Sequence, residues 1–196
     1  MRLVVGITGA SGAIYGVRLL QALRRQPGVE SCLVLSEMAK RTLPQETGLT
    51  PPEVQALADR CFDNHDLGAP IASGSFHTDG LIVAPCSIKT LSALANSYSE
   101  TLIVRAGDVA LKERRRLILV VRETPLHAGH LRLMLTLAEL GATILPPVPA
   151  FYTHPATVDD IINHTVGKVL DQLGLEHTLY RPWLGWEAGG ADCPAP

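Results

Sequence analysis

The chain has 196 residues, 46% of them apolar and 18% charged, with a formal net charge of −2. A length of that order makes one domain that buries roughly 70% of the surface its unfolded form exposes. The near-neutral balance gives no bulk electrostatic case for nucleic acid or an anionic membrane, and no apolar run approaches the ~20 residues of a membrane span.

In chain order, LVVGI (Leu3 to Ile7) reads as a short, β-branched buried strand bounded by glycine. Ile14, Val17, Leu20 and Leu23 then recur at helical spacing. CLVLS (Cys32 to Ser36) is a second strand, PPEVQALADR a short helix, and Cys61 with Phe62 a stub of strand. GLIVAPCS (Gly80 to Ser87) is a strong strand, followed by the helix IKTLSALAN. Thr101 to Arg115 reads as a loop and then a helix. LILVV (Leu117 to Val121) is a further buried strand, and LHAGHLRLMLTLAEL a helix stopped by Gly141. TILPP is the last strand, and Thr157 with Asp160 makes a capping box for a helix that Gly174 ends. Residues 1–185 are expected to form the domain, and the Gly/Pro-rich residues 186–196 a disordered tail.

Strands that alternate with helices and are apolar throughout belong to a parallel sheet covered on both faces. Ligands of such sheets sit beyond the carboxyl ends of the strands. The groups handed to that edge are Gly9-Ala10-Ser11-Gly12, Ser36, Pro85-Cys86-Ser87, Arg122-Glu123 and Phe151-Tyr152. Four cysteines without a C-x-x-C pair or an evident disulfide spacing fit a reduced, cytoplasmic protein. The start MRLVVGITG lacks a signal-peptide core, because glycine and threonine interrupt it. A charge content below the usual ~25% points to surface hidden between copies of the chain, and so to a homo-oligomer.

The glycine turn GITGASGAIYG has the spacing G-x-x-G-x-x-G, not the G-x-G-x-x-G of dinucleotide folds. The second strand ends in Ser36 rather than in an acid for a ribose hydroxyl, and no Tyr-x-x-x-Lys exists. A mononucleotide fits better. Helix N-termini offer unpaired N–H groups and about half a positive charge, and Ser11, Ser36, Ser87 and Thr90 add hydroxyls. Each serine taken alone is equally well a turn former or an N-cap.

The stretches GITGASGAIYGVRLL, ASGSF, PCSIKTLSA, RAGDVALKERR, VVRETPLHAGHLRLM and PPVPAFYTHP, spread from Arg2 to Trp183, resemble the UbiX family of flavin prenyltransferases. The resemblance implies a flavodoxin-like (Rossmann-like) three-layer α/β/α sandwich with a mostly parallel sheet in the order 3-2-1-4-5-6. It implies transfer of a dimethylallyl group from dimethylallyl monophosphate to reduced FMN, without a metal. The prenylated FMN serves a UbiD-family decarboxylase, in ubiquinone biosynthesis or on aromatic acids, and family members form dodecamers. Carried over by residue, Gly9, Ala10, Ser11, Ser36, Ser87, Ile88, Lys89, Thr90 and Arg122 hold FMN. Arg105, Lys112, Tyr152 and Lys168 hold the prenyl phosphate, between subunits, and Glu123 and Ser11 stand at the reacting flavin, with Lys112 at the leaving group.

Elementary chemistry agrees with those assignments. Breaking an allylic carbon–oxygen bond builds negative charge on phosphate, which cations and a phenol hydroxyl stabilise. Arg105 and Lys112 are seven apart, two turns along one face of a continuous helix. Ring closure on the flavin releases a proton, a task for the Glu123 carboxylate. Against this, KERRR (Lys112 to Arg116) reads by default as a solvated face, Glu123 as a partner of Arg122, and Tyr152 as a packed aromatic. His127 and His130 read as structural for want of a third ligand at metal spacing. The chain has Lys168 where many family members have arginine, which loses the bidentate fork. It also lacks a tryptophan upstream of ASGS, leaving Leu67 or Pro70 to line the prenyl pocket. Direct decarboxylation of an aromatic acid, a cysteine-type decarboxylase and a non-catalytic FMN carrier are the competing functions.

Overall fold

A computed structural model describes residues 1–185; the tail expected from 186 onward, including Cys193, lies outside the described residues. The elements in chain order are β1 (Arg2–Ile7), α1 (Ala13–Leu23), β2 (Glu30–Leu35), α2 (Glu37–Thr47), α3 (Pro51–Gln55) and β3 (Arg60–Asp63). After them come β4 (Gly80–Cys86), α4 (Ile88–Ala95), α5 (Leu102–Lys112), β5 (Arg116–Val121), α6 (Ala128–Glu139), β6 (Thr143–Ile144) and α7 (Val158–Leu173). Two single 3-10 turns, Pro70–Ala72 and Phe151–Thr153, complete the described elements.

All strand pairs are parallel, in the order β3-β2-β1-β4-β5-β6. This is the flavodoxin-like sheet that the resemblance implies. Alternate strand residues feed two cores. Leu3, Val5 and Ile7 pack with α1, α2, α3 and α7, whereas Val4, Val34, Leu81 and Val83 pack with α4, α5 and α6. Burial on both faces explains why the strands are apolar throughout rather than alternating. Gly16 lets α1 lie flat on the sheet, because a Cβ there would stand 2.4 Å from the Ala84 carbonyl oxygen.

Three elements depart from the expectation. α2 carries Pro44 in its interior and buries only Ala39 and Leu43, so it shows neither an apolar stripe nor clean helical chemistry. α5 begins at once at Leu102 rather than after a loop. Its first amides are satisfied from afar: Leu102 N–H donates to the Asn64 carbonyl at 2.8 Å and Ile103 N–H to Asn64 Oδ1 at 3.1 Å. β6 is only two residues long, since Pro146 and Pro147 have no N–H for a ladder. The capping box of Thr157 and Asp160 and the left-handed stop at Gly174 (φ 70°) are present as read.

Candidate functional site

The strand order reverses between β1 and β4, and a crevice must open where their crossovers diverge. Thr8, buried between the two strand ends, ties them together. Its Oγ1 donates to the Pro85 carbonyl at 2.7 Å and accepts from the Ser87 N–H at 2.8 Å. Above this tie lies a cavity of about 570 Å³, within the size range of small-molecule and cofactor sites. Thr8, Gly9, Ser36, Met38, Asn64, Ser87, Lys89, Thr90, Tyr98 and Thr101 are among its walls.

Ser36 and Ser87 each cap a helix while facing this cavity. Ser36 Oγ accepts from Ala39 N–H at 3.1 Å, and Ser87 Oγ from Thr90 N–H at 3.3 Å. The capping and ligand readings of these serines therefore coincide: the caps that start α2 and α4 also line the crevice. A Cβ on Gly9 would stand 2.3 Å from Met38 Cβ, so glycine there lets the turn and the start of α2 close around the same space.

Of the expected flavin residues, Gly9, Ser36, Ser87, Lys89 and Thr90 line the cavity, whereas Ala10, Ser11, Ile88 and Arg122 do not. Arg122 Nε instead donates to the Ser11 carbonyl at 3.1 Å, pinning the glycine turn to the end of β5. The N-terminus of α1 is not open to a phosphate at every amide. Gly12 and Ala13 N–H both donate to Glu46 Oε2, at 2.8 and 2.9 Å. Burial raises the Glu46 pKa, but the Ala13 and Gly12 amides, the Ser11 hydroxyl and Arg122 outweigh it and hold the carboxyl below its ordinary value. Sequence reasoning missed Glu46, Thr8 and Asn64. Glu46 sits on α2, which gave no pattern, and the partners of the other two lie far away in the chain.

Glu123 is exposed and accepts from its own neighbour, Thr124 N–H, at 3.0 Å. Arg122 turns away from it to Ser11, so the pairing considered for the two is not what holds them.

Arg105 and Lys112 both lie on α5, as one continuous helix requires. Arg105 Nε donates to the Ala72 carbonyl at 3.0 Å and its Nη1 to Asp108 at 2.9 Å, while Lys112 pairs with Glu113. Beyond the helix end, Arg115 donates to the carbonyls of Gly74 (2.6 Å) and Phe76 (3.1 Å). Most of the basic run is the solvated face expected of it, and Arg115 alone of the run clasps the ASGSF loop. At Gly74 the ends of the Glu113 and Lys112 side chains lie against the backbone, 2.2 Å (Oε1) and 2.8 Å (Nζ) from where a Cβ would stand.

Tyr152 and Lys168 lie on the opposite side of the sheet. Tyr152 OH is 3.4 Å from His164 Nε2 on α7, and its ring meets that of Trp183 edge-on at 5.8 Å. Lys168, one turn after His164, pairs with Asp171 at 2.9 Å. Burial lowers the His164 pKa and the nearby Lys168 cation lowers it further, against a smaller upward pull from Asp171. One chain therefore brings the four expected phosphate ligands together only as two pairs, one on each face. His127 caps α6, its Nδ1 accepting from Gly129 N–H, and its ring stacks on His130 at 3.6 Å.

A larger groove, about 810 Å³, runs between α1 and the segment after α7. It faces away from the strand ends, so the smaller cavity, on which the strand carboxyl ends converge, is the better candidate.

Among known proteins, the sequence pattern of the family described as Flavoprotein matches residues 1–170. The flavin prenyltransferase UbiX of Thauera aromatica is 59% identical over 187 residues, 95% of this chain and 96% of that one. The flavin prenyltransferase UbiX of Escherichia coli K12 is 58% identical over 186 residues, covering 94% and 98%. Among solved structures, AnUbiX (PadA1) in complex with FMN and dimethylallyl pyrophosphate superposes with a TM-score of 0.93 at 49% identity, over 95% of this chain and 98% of that one. A dodecameric FMN-dependent UbiX-like decarboxylase from Escherichia coli O157:H7 has the same TM-score at 54% identity, over 94% and 100%.

Proposed function

The chain belongs to the UbiX family of flavin prenyltransferases, and from that membership we propose that it joins the dimethylallyl group of dimethylallyl monophosphate to reduced FMN. The product, prenylated FMN, passes to a UbiD-family decarboxylase, and the enzyme works in the cytoplasm as a homo-oligomer, a dodecamer. Residues 1–185 are its single FMN-binding domain.

The observation that carries this reading is the crevice at the β1/β4 switch point, walled by two serine helix caps, Thr90 and Lys89. Its polar donors and its volume suit FMN. Gly9, Ala10, Ser11, Ser36, Ser87, Ile88, Lys89, Thr90 and Arg122 are the residues assigned to hold it. Reduced FMN, when bound, supplies the electron-rich ring that accepts the five-carbon unit.

The allylic carbon–oxygen bond breaks with its electron pair on phosphate. Arg105, Lys112 and Lys168 stabilise that charge, and the Tyr152 hydroxyl donates to it. Glu123 is exposed at the strand edge beside the Arg122–Ser11 contact, the position for a carboxylate that takes the proton released on ring closure. Ser11 is fixed from both sides, its carbonyl by Arg122 and its hydroxyl by Glu46. Because Arg105 and Lys112 lie on the other face of the sheet from Tyr152 and Lys168, a complete phosphate site takes one pair from each of two subunits.

The test is anaerobic incubation with reduced FMN and dimethylallyl monophosphate, followed by mass spectrometry of the extracted flavin. A flavin heavier by one five-carbon unit, lost in Glu123→Gln by at least about a hundredfold in rate, is the expected result. Unmodified flavin, with release of carbon dioxide from an aromatic acid by the chain alone, would instead make it a decarboxylase.

A further inference from the structure

The segment after α7 folds back along that helix and ends on Lys168. Leu175 and Leu179 pack on the core, and Gln26 Nε2 of α1 donates to the Glu176 carbonyl at 2.7 Å. Gly167 makes the close approach possible, since a Cβ there would meet the Tyr180 ring at 2.5 Å and His177 Cε1 at 2.8 Å.

This strap and α7 surround one carboxylate. Asp171 Oδ2 accepts from Lys168 Nζ at 2.9 Å and from Tyr180 OH at 2.5 Å. Leu179 N–H donates to His177 Nδ1, which leaves the ring proton on Nε2 to donate to Asp171 Oδ1 at 3.0 Å. Three donors thus hold Asp171. A carboxylate so anchored holds Lys168 in turn, against the rotamer freedom of its four-carbon chain. Lys168 Nζ has three protons. One goes to Asp171 and a long contact of 3.5 Å reaches Tyr180 OH, so donor capacity remains for an outside anion.

We propose that Asp171 and Tyr180 are positioning residues for Lys168, and that the Leu175–Tyr180 strap is in this way part of the prenyl-phosphate site. A lone lysine has no planar fork to fix a phosphate; the Asp171–Tyr180 pair supplies a fixed direction instead. This rests on the reading of Lys168 as a phosphate ligand, and the experiment separates the two.

Steady-state prenylation by the full chain is measured with dimethylallyl monophosphate varied, for Lys168→Ala, Asp171→Asn, Tyr180→Phe and each of the latter two in the Lys168→Ala background. Tyr180→Phe removes only a hydroxyl, so it reports even if Asp171→Asn unfolds. The expected result is a KM raised about tenfold in Asp171→Asn and about threefold in Tyr180→Phe, with kcat and FMN affinity within about twofold of the parent. Neither change adds to Lys168→Ala, because a positioning effect vanishes with the group positioned. An unchanged or lower KM in Tyr180→Phe and Asp171→Asn, or full additivity with Lys168→Ala, overturns the inference while Lys168 keeps its role. An unchanged KM in Lys168→Ala itself overturns the reading of Lys168, and the inference with it.

Discussion

Thr8 has no charge and no assigned role within the glycine turn, yet its hydroxyl is the joint between the two turns that open the crevice. Thr8→Val keeps the shape and removes both hydroxyl bonds, leaving the Ser87 amide without its acceptor and the Pro85 carbonyl with only the Thr8 N–H at 3.2 Å. The expected outcome is a loss of about 1–3 kcal/mol in urea-unfolding stability, with FMN affinity weakened about tenfold by fluorescence titration as the Ser87 turn loosens. A stable Thr8→Val protein that binds FMN like the parent would reduce the tie to packing. Glu46 shows the same scale from the other side. A helix N-terminus attracts an anion, and at Gly12 and Ala13 the anion is a side chain of the protein itself. The turn that attracts attention in the sequence is therefore braced from within, by Glu46 and Arg122, before any ligand arrives.

At the scale of elements, the strap and α7 make a pH-sensitive joint. Burial pushes the Asp171 carboxyl up, but bonds from Tyr180, Lys168 and His177 outweigh it and hold it down to about 2. The ordinary aspartate value is about 3.9. A depressed carboxyl stabilises the fold above its unfolded pKa, and that stabilisation is lost as pH falls toward the folded value. Asp171 is 35% exposed, so screening limits the contribution to about 1 kcal/mol. The urea-unfolding free energies of parent and Asp171→Asn should thus differ by that amount at about pH 6, and the two midpoints should converge between about pH 4 and pH 2. Midpoints that differ equally at both ends of this range would show that the carboxylate charge is not what secures the strap. A second joint lies at α5 and the residues after it, where Arg105 and Arg115 fasten the ASGSF loop through its carbonyls.

For the whole molecule, the sheet itself separates the phosphate ligands. α5 packs with the core on one face and α7 with the core on the other, so on the proposed reading the phosphate site combines Arg105 and Lys112 of one copy with Tyr152 and Lys168 of another. Leu131 and Leu135 of α6 are 52% and 58% exposed and Phe151 is 72% exposed, apolar surface of the sort that copies of a chain cover. Lys112→Ala and Lys168→Ala, each impaired alone at subsaturating dimethylallyl monophosphate, should recover activity when unfolded and refolded together. Random assembly leaves about a quarter of the sites with both lysines. Recovery of no activity from well-assembled mixtures would place both lysines in one subunit's site or in none.

What the sequence determined by itself is local. Hydrophobic runs set the strands, helical spacing and the Thr157–Asp160 box set the helices, and their alternation set a parallel sheet with Ser36, Ser87 and the glycine turn at one edge. These features depend on near neighbours along the chain, so they are legible without coordinates. The family motifs carried the order of the strands and the candidate ligands. Only the tertiary structure decided what those residues hold. Glu46 is 34 residues from Gly12, Thr8 is 79 from Ser87, and Arg115 is 41 from Gly74. α2 escaped notice because Pro44 and a thin apolar face hide it, and the joints were invisible because each pairs ordinary polar residues across long loops. Such contacts form only once the sheet has brought the strand ends together, and it is there that the site is built.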